Sequence, residues 1–276
     1  MHPAFANAKV RPPAVAGLFY PGDASQLREV VSEYLAQAPE PAIGAAPKAL
    51  IVPHAGYIYS GAIAAAAYSQ VAQRRRQIRR IVLIGPSHRV YLRGMAVPSA
   101  EAFQTPLGRV LVDQDLKAQL LARQLVIESD APHDSEHSLE VQLPFLQMLF
   151  DDFTLLPLSI GAATPPAVAT ALAETWGGKE TLVLVSSDLS HFLTYDAARE
   201  FDLATTAAIL RHDATLTGDQ ACGCVGINGV SLLALQRNLS ISEIARCNSG
   251  DTAGDRNRVV GYGAFAFHES ESDTTA

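Results

Sequence analysis

Three histidines each follow a short apolar run, and their spacing is the feature of the sequence that most clearly predicts chemistry. His54 follows Ala-Leu-Ile-Val-Pro, His88 follows Arg-Ile-Val-Leu-Ile-Gly-Pro-Ser, and His191 follows Thr-Leu-Val-Leu-Val-Ser-Ser-Asp-Leu-Ser. Such apolar runs are typical of buried strands. In open parallel α/β sheets, ligands bind in the crevice outside the carboxyl ends of the strands. The pattern therefore predicts that three loops bring three imidazoles to one edge of a sheet.

A cysteine-containing segment offers a further ligand. Cys222 and Cys224 lie among glycines just ahead of a predicted helix, so we expect the helix N-terminus to lower the pKa of a thiol there. The alternative is a small buried thiol at a close-packed turn. Imidazole suits iron, copper and zinc, and thiolate favours copper(I), zinc or iron. Two imidazoles with a thiolate therefore predict a transition-metal site, for iron or copper in the first place and for zinc otherwise.

The pair Asp188 and His191 is compatible with two mechanisms. Three residues apart in one predicted loop, they resemble a general base with an orienting carboxylate beside a metal ion. The competing mechanism is a metal-free hydrolysis in which Cys222 is the nucleophile, His191 the base and Asp188 the orienting group. The residues themselves leave both mechanisms open.

The segment His-Asp-Ser-Glu-His-Ser-Leu-Glu, residues 133–140, also concentrates ionisable groups. One interpretation is an ordinary helix N-terminus, where acidic residues interact favourably with the helix dipole. The other interpretation is that His137 or Glu140 faces the same crevice and contacts the reactive groups there without itself reacting or binding the metal. Four aromatic residues are also expected to contact a ligand in that cleft: Phe19, Tyr20, Tyr57 and Tyr59.

The elements that must position these residues alternate between strands and helices. Strands are predicted at 49–52, 80–85, 95–99, 108–113, 153–160, 181–187 and 258–268. Helices are predicted at about 23–37, 61–72, 115–124, 137–150, 165–176, 196–211 and 227–237. Short apolar runs separated by helices indicate a single α/β domain, residues 1–268, with a mostly parallel central sheet flanked by helices. The polar residues 269–276 are predicted to be a disordered tail.

Composition argues against several classes of partner. The net charge is −7 and no dense Lys/Arg stripe is present, so we expect no nucleic-acid partner. The sequence has neither an apolar stretch of about 18 residues nor the apolar core of a signal peptide, which predicts a cytoplasmic protein without a membrane partner. Three cysteines give no disulfide framework, as expected in a reducing compartment.

Several motifs taken together resemble the Memo family. They are Ile-Val-Pro-His-Ala-Gly-Tyr-Ile-Tyr-Ser-Gly (51–61), Ile-Gly-Pro-Ser-His-Arg (84–89), Thr-Pro-Leu-Gly (105–108), Glu-His-Ser-Leu-Glu-Val-Gln-Leu-Pro-Phe-Leu (136–146), Val-Ser-Ser-Asp-Leu-Ser-His (185–191) and Cys-Gly-Cys-Val-Gly-Ile (222–227). The resemblance runs from about residue 10 to residue 267. Animal members are named for mediating ErbB2-driven cell motility, and bacterial and archaeal members are often called AmmeMemoRadiSam system protein B.

The resemblance implies a fold like that of the class III extradiol (LigB-like) dioxygenases, a non-haem iron architecture. It implies the metal ligands His54, His88 and Cys222. Asp188 and His191 would lie beside the metal, with His191 in the place of the dioxygenases' catalytic base. Cys222 stands where those dioxygenases have a glutamate ligand, and a thiolate is softer and can itself be oxidised. Partnership with an AMMECR-like protein and a radical-SAM enzyme is a further implication of the resemblance.

Three functions of different kinds follow from these features. The first is a metal-dependent, dioxygenase-like redox enzyme that acts on a small molecule or a peptide. The second is a non-catalytic adaptor that binds a peptide or a protein in the same cleft. The third is the metal-free hydrolase with Cys222 and His191. Peptide binding that survives chelation of the metal would favour the adaptor over the redox enzyme.

Overall fold

A computed structural model of the chain describes residues 8–41 and 46–269. The strands are β1 (Val10–Arg11), β2 (Ala49–Val52), β3 (Arg80–Pro86), β4 (Met95–Val97), β5 (Ala102–Thr105), β6 (Gly108–Val112), β7 (Ile127–Glu128), β8 (Thr154–Ile160), β9 (Thr181–Ser186), β10 (His191–Leu193), β11 (Ser240–Asn248) and β12 (Val259–His268). The helices are α1 (Ala24–Gln37), α2 (Tyr57–Ser69), α3 (Gln114–Ala122), α4 (Ala131–Asp134), α5 (Leu143–Leu149), α6 (Pro165–Thr175), α7 (Tyr195–Leu210) and α8 (Cys224–Gln236).

The centre of the sheet is parallel. Strands β6, β8, β3, β9 and β2 are neighbours in that order, and each adjacent pair runs in the same direction. Strand β12 follows β2 in the antiparallel sense, and both β10 and β11 pair antiparallel with β12. At the other edge, β5 pairs antiparallel with β6, and β1 runs parallel to β5. The predicted α/β architecture with a mostly parallel central sheet is confirmed.

Helices cover both faces of this sheet. Every residue of β2 and β9 is buried, as expected for central parallel strands built from continuous apolar runs. One apolar cluster joins α1, α2 and α5 to one face, and a second cluster joins α3, α6 and α8 to the other. The loops at the carboxyl ends of the central strands are therefore carried by a rigid, doubly covered sheet.

The predicted elements differ from the observed ones in a few places. Helix α2 begins at Tyr57, four residues before the predicted start. The helix predicted over 137–150 is interrupted, because a 3₁₀ turn at Glu140–Gln142 precedes α5 and Pro144 occupies the first turn of α5, where its missing N–H is tolerated. Strand β11 is not predicted at all, and neither are the short elements β1, β5, β7, β10 and α4. Apart from Glu269, the predicted tail lies outside the described residues.

Within the described part of the chain, no helix has both the length and the apolar character that crossing a lipid bilayer requires.

Candidate metal centre

The order of the strands explains why residues far apart in sequence meet at one edge of the sheet. Strands β3, β9 and β2 are adjacent and parallel, so their carboxyl ends lie side by side. His54 follows the end of β2 by two residues, and His88 follows the end of β3 by two residues. Cys222 lies two residues before α8, and the N–H of Gly223 donates to Ser187 Oγ in the loop after β9 at 2.9 Å.

His54, His88 and Cys222 form a group that could hold one metal ion. One ligand atom from each residue lies within 4.8 Å of the other two. Cys222 Sγ is 3.3 Å from His54 Nε2, and the centroids of the two imidazole rings are 5.2 Å apart. The side chain of His54 is almost fully buried, whereas that of His88 is 30% exposed. The group can therefore be approached from the side of His88.

Hydrogen bonds assign the proton of the His54 ring to Nδ1. Ser186 Oγ lies 2.6 Å from the Ser138 carbonyl, which can only accept, so the single hydroxyl proton points there. Ser186 Oγ must then accept from both Gln142 Nε2 and His54 Nδ1, each 2.9 Å away. Gln142 is itself fixed, because its Oε1 accepts from the Tyr68 hydroxyl at 2.7 Å. His54 Nε2 is left without a proton and faces the thiol, as metal coordination requires.

Glu136 orients the His88 ring in the same way. Its carboxylate accepts the backbone N–H of His88 at 2.6 Å and lies 2.9 Å from His88 Nδ1. Burial alone would raise the pKa of Glu136, but hydrogen bonds from His137 and His88 hold that pKa well below its ordinary value. An ionised carboxylate only accepts, so His88 Nδ1 carries the proton and Nε2 can bind a metal.

His137 adds a third imidazole to the group, which the sequence suggested as one of two alternatives. Its ring stacks on that of His88 with the centroids 4.8 Å apart and meets the His54 ring edge-on at 5.3 Å. The Phe19 ring lies 4.7 Å from it. His88, Glu136 and His137 form a second set of side chains whose ligand atoms lie within 4.8 Å of one another. His137 and Phe19 are therefore part of the site.

Asp188 connects the two most buried ligands. Its Oδ1 accepts the N–H of His54 at 2.7 Å, and its own N–H donates to Cys222 Sγ at 3.3 Å. Burial, and after it the Asp188 carboxylate, raise the pKa of Cys222, so the lowered pKa predicted from the helix N-terminus is wrong. Burial also raises the pKa of Asp188, and burial with the nearby His137 and His88 lowers the pKa of His54. The pKa shifts of His54 and Cys222 favour the neutral forms of these two side chains. A bound metal cation would supply the positive charge that stabilises the Cys222 thiolate.

His191 is oriented by a backbone carbonyl. Its Nδ1 lies 2.9 Å from the Leu189 carbonyl, so Nδ1 carries the proton of the neutral ring and Nε2 is available as a base. The sequence predicts Asp188 in the orienting role, whereas the structure places the carbonyl of Leu189 there. The next residue, Phe192, has a φ of 65°, a conformation that is unfavourable for an aromatic residue. Phe192 lies in β10, where the pairing with β12 is irregular, and backbone strain of this kind is often found beside reactive side chains.

Three residues predicted to support or contact a ligand lie in the core instead. Glu140 is fully buried and accepts from Arg11 Nη1 at 2.6 Å and from the Tyr20 hydroxyl at 2.7 Å. Tyr57 is 3% exposed, and its ring lies 5.0 Å from that of Phe145. The reason is that α2 begins at Tyr57, which turns this side chain toward the interior rather than the cleft. Glu140 and Tyr20 anchor the N-terminal segment.

Of the remaining predicted contacts, Phe19 reaches the site through the His137 ring. Tyr59 is half-buried and packs against the same apolar cluster as α1 and α2. Cys224 packs against the apolar cluster on the other face. It therefore does not join the ligand group that the described residues form.

Glu136, Ser186 and Gln142 complete the site. Glu136 belongs to the ionisable segment 133–140 but is not predicted as a partner of His88, and the sequence does not indicate Ser186 or Gln142. All three are polar side chains that are at most 4% exposed. Ser186 ends the apolar strand β9, and Gln142 lies within Leu-Glu-Val-Gln-Leu. The signal available in the sequence is thus a polar residue inside an apolar run, which a buried hydrogen-bond network explains.

A cavity opens beside the sulfur atom. It has a volume of about 250 Å³ and lies between the carboxyl ends of β3, β8 and β9 and the N-terminus of α8. Its lining includes Cys222, Ser186 and the exposed Tyr91. Space for a small ligand therefore adjoins the candidate metal ligands.

An α/β fold that gathers two imidazoles and a thiol at the carboxyl edge of a parallel sheet agrees with the family that the motifs suggest. The family model described as "Memo-like protein" matches residues 11–266. The chain therefore belongs to the Memo family.

Relatives described as MEMO1 family proteins align over nearly their whole length. One from Ignicoccus hospitalis is 36% identical and covers 94% of this chain and 98% of its own. One from Aquifex aeolicus is 33% identical, with 94% and 99% covered. A crystal structure of an uncharacterized protein from Escherichia coli K12 covers 79% of this chain and 98% of its own at 14% identity and a TM-score of 0.49. That likeness is too distant to add to the family assignment.

Proposed function

We propose that this protein is a metal-dependent redox enzyme in which His54, His88 and Cys222 hold one iron or copper ion. The observation that carries the proposal is the meeting of their three ligand atoms within 4.8 Å of one another. Mixed imidazole and thiolate ligation suits iron, copper and zinc, and among these iron and copper support redox chemistry.

The surrounding residues fit such an ion. Glu136 and Ser186 hold the two rings in the tautomer that leaves Nε2 without a proton. Asp188 donates its backbone N–H to Cys222 Sγ, a contact that stabilises a thiolate. Hydrogen-bond partners that orient the ligand side chains are typical of metal sites, and loss of such a partner weakens metal binding.

The bound ion would supply Lewis-acid and electron-transfer chemistry, and the residues of the chain would move the protons. His191 has an unprotonated Nε2 and a half-buried ring, so it can accept a proton from a substrate hydroxyl. His137 lies against His88 on the more exposed side of the group, where it can contact the same substrate. The proposed reaction is therefore oxygen-dependent oxidation of a substrate that His191 deprotonates.

The surroundings of the site favour a substrate with an apolar part. Leu18, next to Phe19, is 80% exposed, and Tyr91, which lines the cavity beside the sulfur, is 85% exposed. Phe192, next to His191, is 59% exposed. Together these side chains would supply the apolar patch that a binding surface requires. A small aromatic molecule or an apolar side chain of a peptide fits this description.

The same exposed side chains support a second candidate, a module that binds a peptide in the cleft without catalysis. Partnership with an AMMECR-like protein and a radical-SAM enzyme would belong to either function. Binding that persists after chelation and in Cys222→Ala would favour the module. The metal-free hydrolase is less well supported, because burial raises the pKa of Cys222 and its sulfur contacts His54.

Metal analysis of anaerobically purified protein tests the proposal. We expect about one iron or copper ion per chain, and loss of that ion in His54→Ala and Cys222→Ala with an unchanged circular dichroism spectrum. Cys224→Ala is the matched control, since it removes the neighbouring thiol from the apolar layer and should keep the ion. Equal metal content in all four proteins would refute the ligand assignment. Oxygen-dependent turnover of catechols or peptides by the iron-loaded protein then tests the redox chemistry.

A further inference from the structure

A second cavity adjoins the loop that carries His191. It has a volume of about 290 Å³, close to the lower limit of the range for ligand pockets. The first turns of α7 and the end of β11 form it, and its lining is mostly polar. The residues that matter for its chemistry are Tyr195, Arg199, Asp202, Arg246, Asn248 and Asp251.

Asp202 is a buried carboxyl group that forms no ion pair within the described residues. Burial raises the pKa of Asp202, and the more distant charges of Arg246 and His191 act in the opposite direction. It is 2% exposed, and its Oδ1 accepts the N–H of Ser190 at 3.0 Å. Among residues 8–41 and 46–269, no Lys, Arg or His nitrogen lies within ion-pair distance of this carboxylate. A buried carboxylate is costly unless a cation or several donors compensate it. The cavity beside Asp202 is the place where a ligand cation could do so.

The same cavity contains unused hydrogen-bond donors. Arg246 donates through Nε to Glu243 at 3.0 Å, and the guanidinium of Arg199 lies over the Tyr195 ring at 5.6 Å. In the described part of the chain, the terminal nitrogens of these two arginines meet no carboxylate. Asn248 is 2% exposed and uses its Oδ1 to accept from the N–H of Gly250. Planar guanidinium groups bind carboxylates with two parallel hydrogen bonds.

We propose that this cavity binds a small zwitterion, an α-amino acid or a close analogue, with its ammonium group on Asp202 and its carboxylate on Arg199 and Arg246. Both signs of charge line one small space, so a simple anion would be repelled by Asp202 and a simple cation by the guanidinium groups. The Asn248 amide is a further donor for the carboxylate. The site is distinct from the His54, His88 and Cys222 group and does not depend on a metal.

Calorimetry and saturation-transfer NMR on the full chain test this proposal with the standard amino acids, each at up to about 10 mM so that a Kd near 1 mM is detected. At least one amino acid is expected to bind. Its N-acetyl derivative lacks the ammonium charge and its methyl ester lacks the carboxylate charge, and each should bind about tenfold more weakly or worse.

Variants locate the binding. Asp202→Asn and Arg246→Gln should each weaken the amino acid by about tenfold. Arg211→Gln changes an exposed arginine at the other end of α7 and should leave binding unchanged. Thermal unfolding of each variant shows whether it is folded. If Asp202→Asn does not fold, the affinity of Arg246→Gln decides the test, because Arg246 is only half-buried and its change should be tolerated. Failure of every amino acid to bind, equal binding of the N-acetyl derivative, or affinity unchanged in Arg246→Gln would overturn the proposal.

Discussion

Glu136 and Glu140 lie four residues apart in the same segment, are both buried, and have different partners. The carboxylate of Glu136 faces the carboxyl edge of the sheet, where it accepts from His88 and from the backbone of His137. The carboxylate of Glu140 faces the N-terminal segment, where it accepts from Arg11, from the Tyr20 hydroxyl and from two backbone N–H groups. The same residue type thus orients a candidate metal ligand in one place and anchors the N-terminal segment in the other.

Each of these buried carboxylates has the role set by the distant part of the chain that contacts it. Arg11 arrives from the N-terminal segment, and His88 arrives from the loop after β3. Changing each glutamate to glutamine should therefore separate stability from metal binding.

Glu140→Gln should have the largest effect, and the effect should be on stability. The change leaves the Arg11 guanidinium, whose side chain is 4% exposed, without a carboxylate. Breaking a buried ion pair in this way costs about 3–5 kcal/mol. Urea denaturation should show this loss in the free energy of unfolding, while the metal affinity of the folded fraction changes little. A loss below about 1 kcal/mol would show that Glu140 is not the anchor of the N-terminal segment.

Glu136→Gln should act mainly on metal binding. A neutral amide fixes the His88 ring less firmly, and loss of such a partner lowers metal affinity by about 10–100-fold. Competition with a chelator measures this change. If Glu136→Gln destabilises the protein as much as Glu140→Gln does, the division of roles between the two glutamates is refuted.

Ser186→Ala should weaken the metal site through the other ring. Without Ser186 Oγ, His54 Nδ1 loses its acceptor, and we expect about a tenfold loss of metal affinity. Nitrogen-15 NMR of the metal-free protein should then show both tautomers of His54 instead of one. Ser231→Ala is the matched control, because Ser231 is equally buried and its hydroxyl has no hydrogen-bond partner within the described residues. A single His54 tautomer in Ser186→Ala would contradict the assigned network.

Asp113 is a buried carboxylate that belongs neither to the candidate metal site nor to the contacts of Glu140, and changing it should have a smaller effect. It caps α3 through the N–H of Leu116 and pairs with Arg80 at 2.9 Å. Burial alone would raise the pKa of Asp113, but these hydrogen bonds lower it. Because its folded pKa lies below the unfolded value of about 4, its contribution is complete at neutral pH and is lost as the pH falls below about 4.

Asp113→Asn should therefore lower the free energy of unfolding by about 1 kcal/mol at neutral pH and by less near pH 3. Urea denaturation at the two pH values measures the difference. A loss that is the same at both values would show that the charge of Asp113 does not contribute.

The central sheet can be predicted from the sequence because its strands are buried on both faces and read as unbroken apolar runs. Strand β11 escapes prediction because it is an edge strand in which residues such as Glu243 remain exposed, so its pattern resembles a loop. The break before α5 follows from Pro144, but its position depends on the packing of the 3₁₀ turn.

For the site, the ends of two apolar runs indicate His54 and His88, and the glycine-flanked segment before a helix indicates Cys222. The family resemblance implies that these three are one ligand set, and the structure brings them together. The residues that orient them could not be predicted. Glu136 and Ser186 reach the rings across 48 and 132 residues of chain, and no local pattern encodes those contacts. The inward turn of Tyr57 likewise depends on where α2 begins.

X-ray absorption spectroscopy at the metal edge of zinc-loaded protein determines which atoms bind the ion. Coordination by His54, His88 and Cys222 predicts nitrogen scatterers at about 2.0–2.1 Å and one sulfur at about 2.3 Å. The sulfur contribution should disappear in Cys222→Ala and persist in Cys224→Ala. Nitrogen and oxygen scatterers alone, without sulfur, around zinc in the unaltered protein would refute coordination by Cys222.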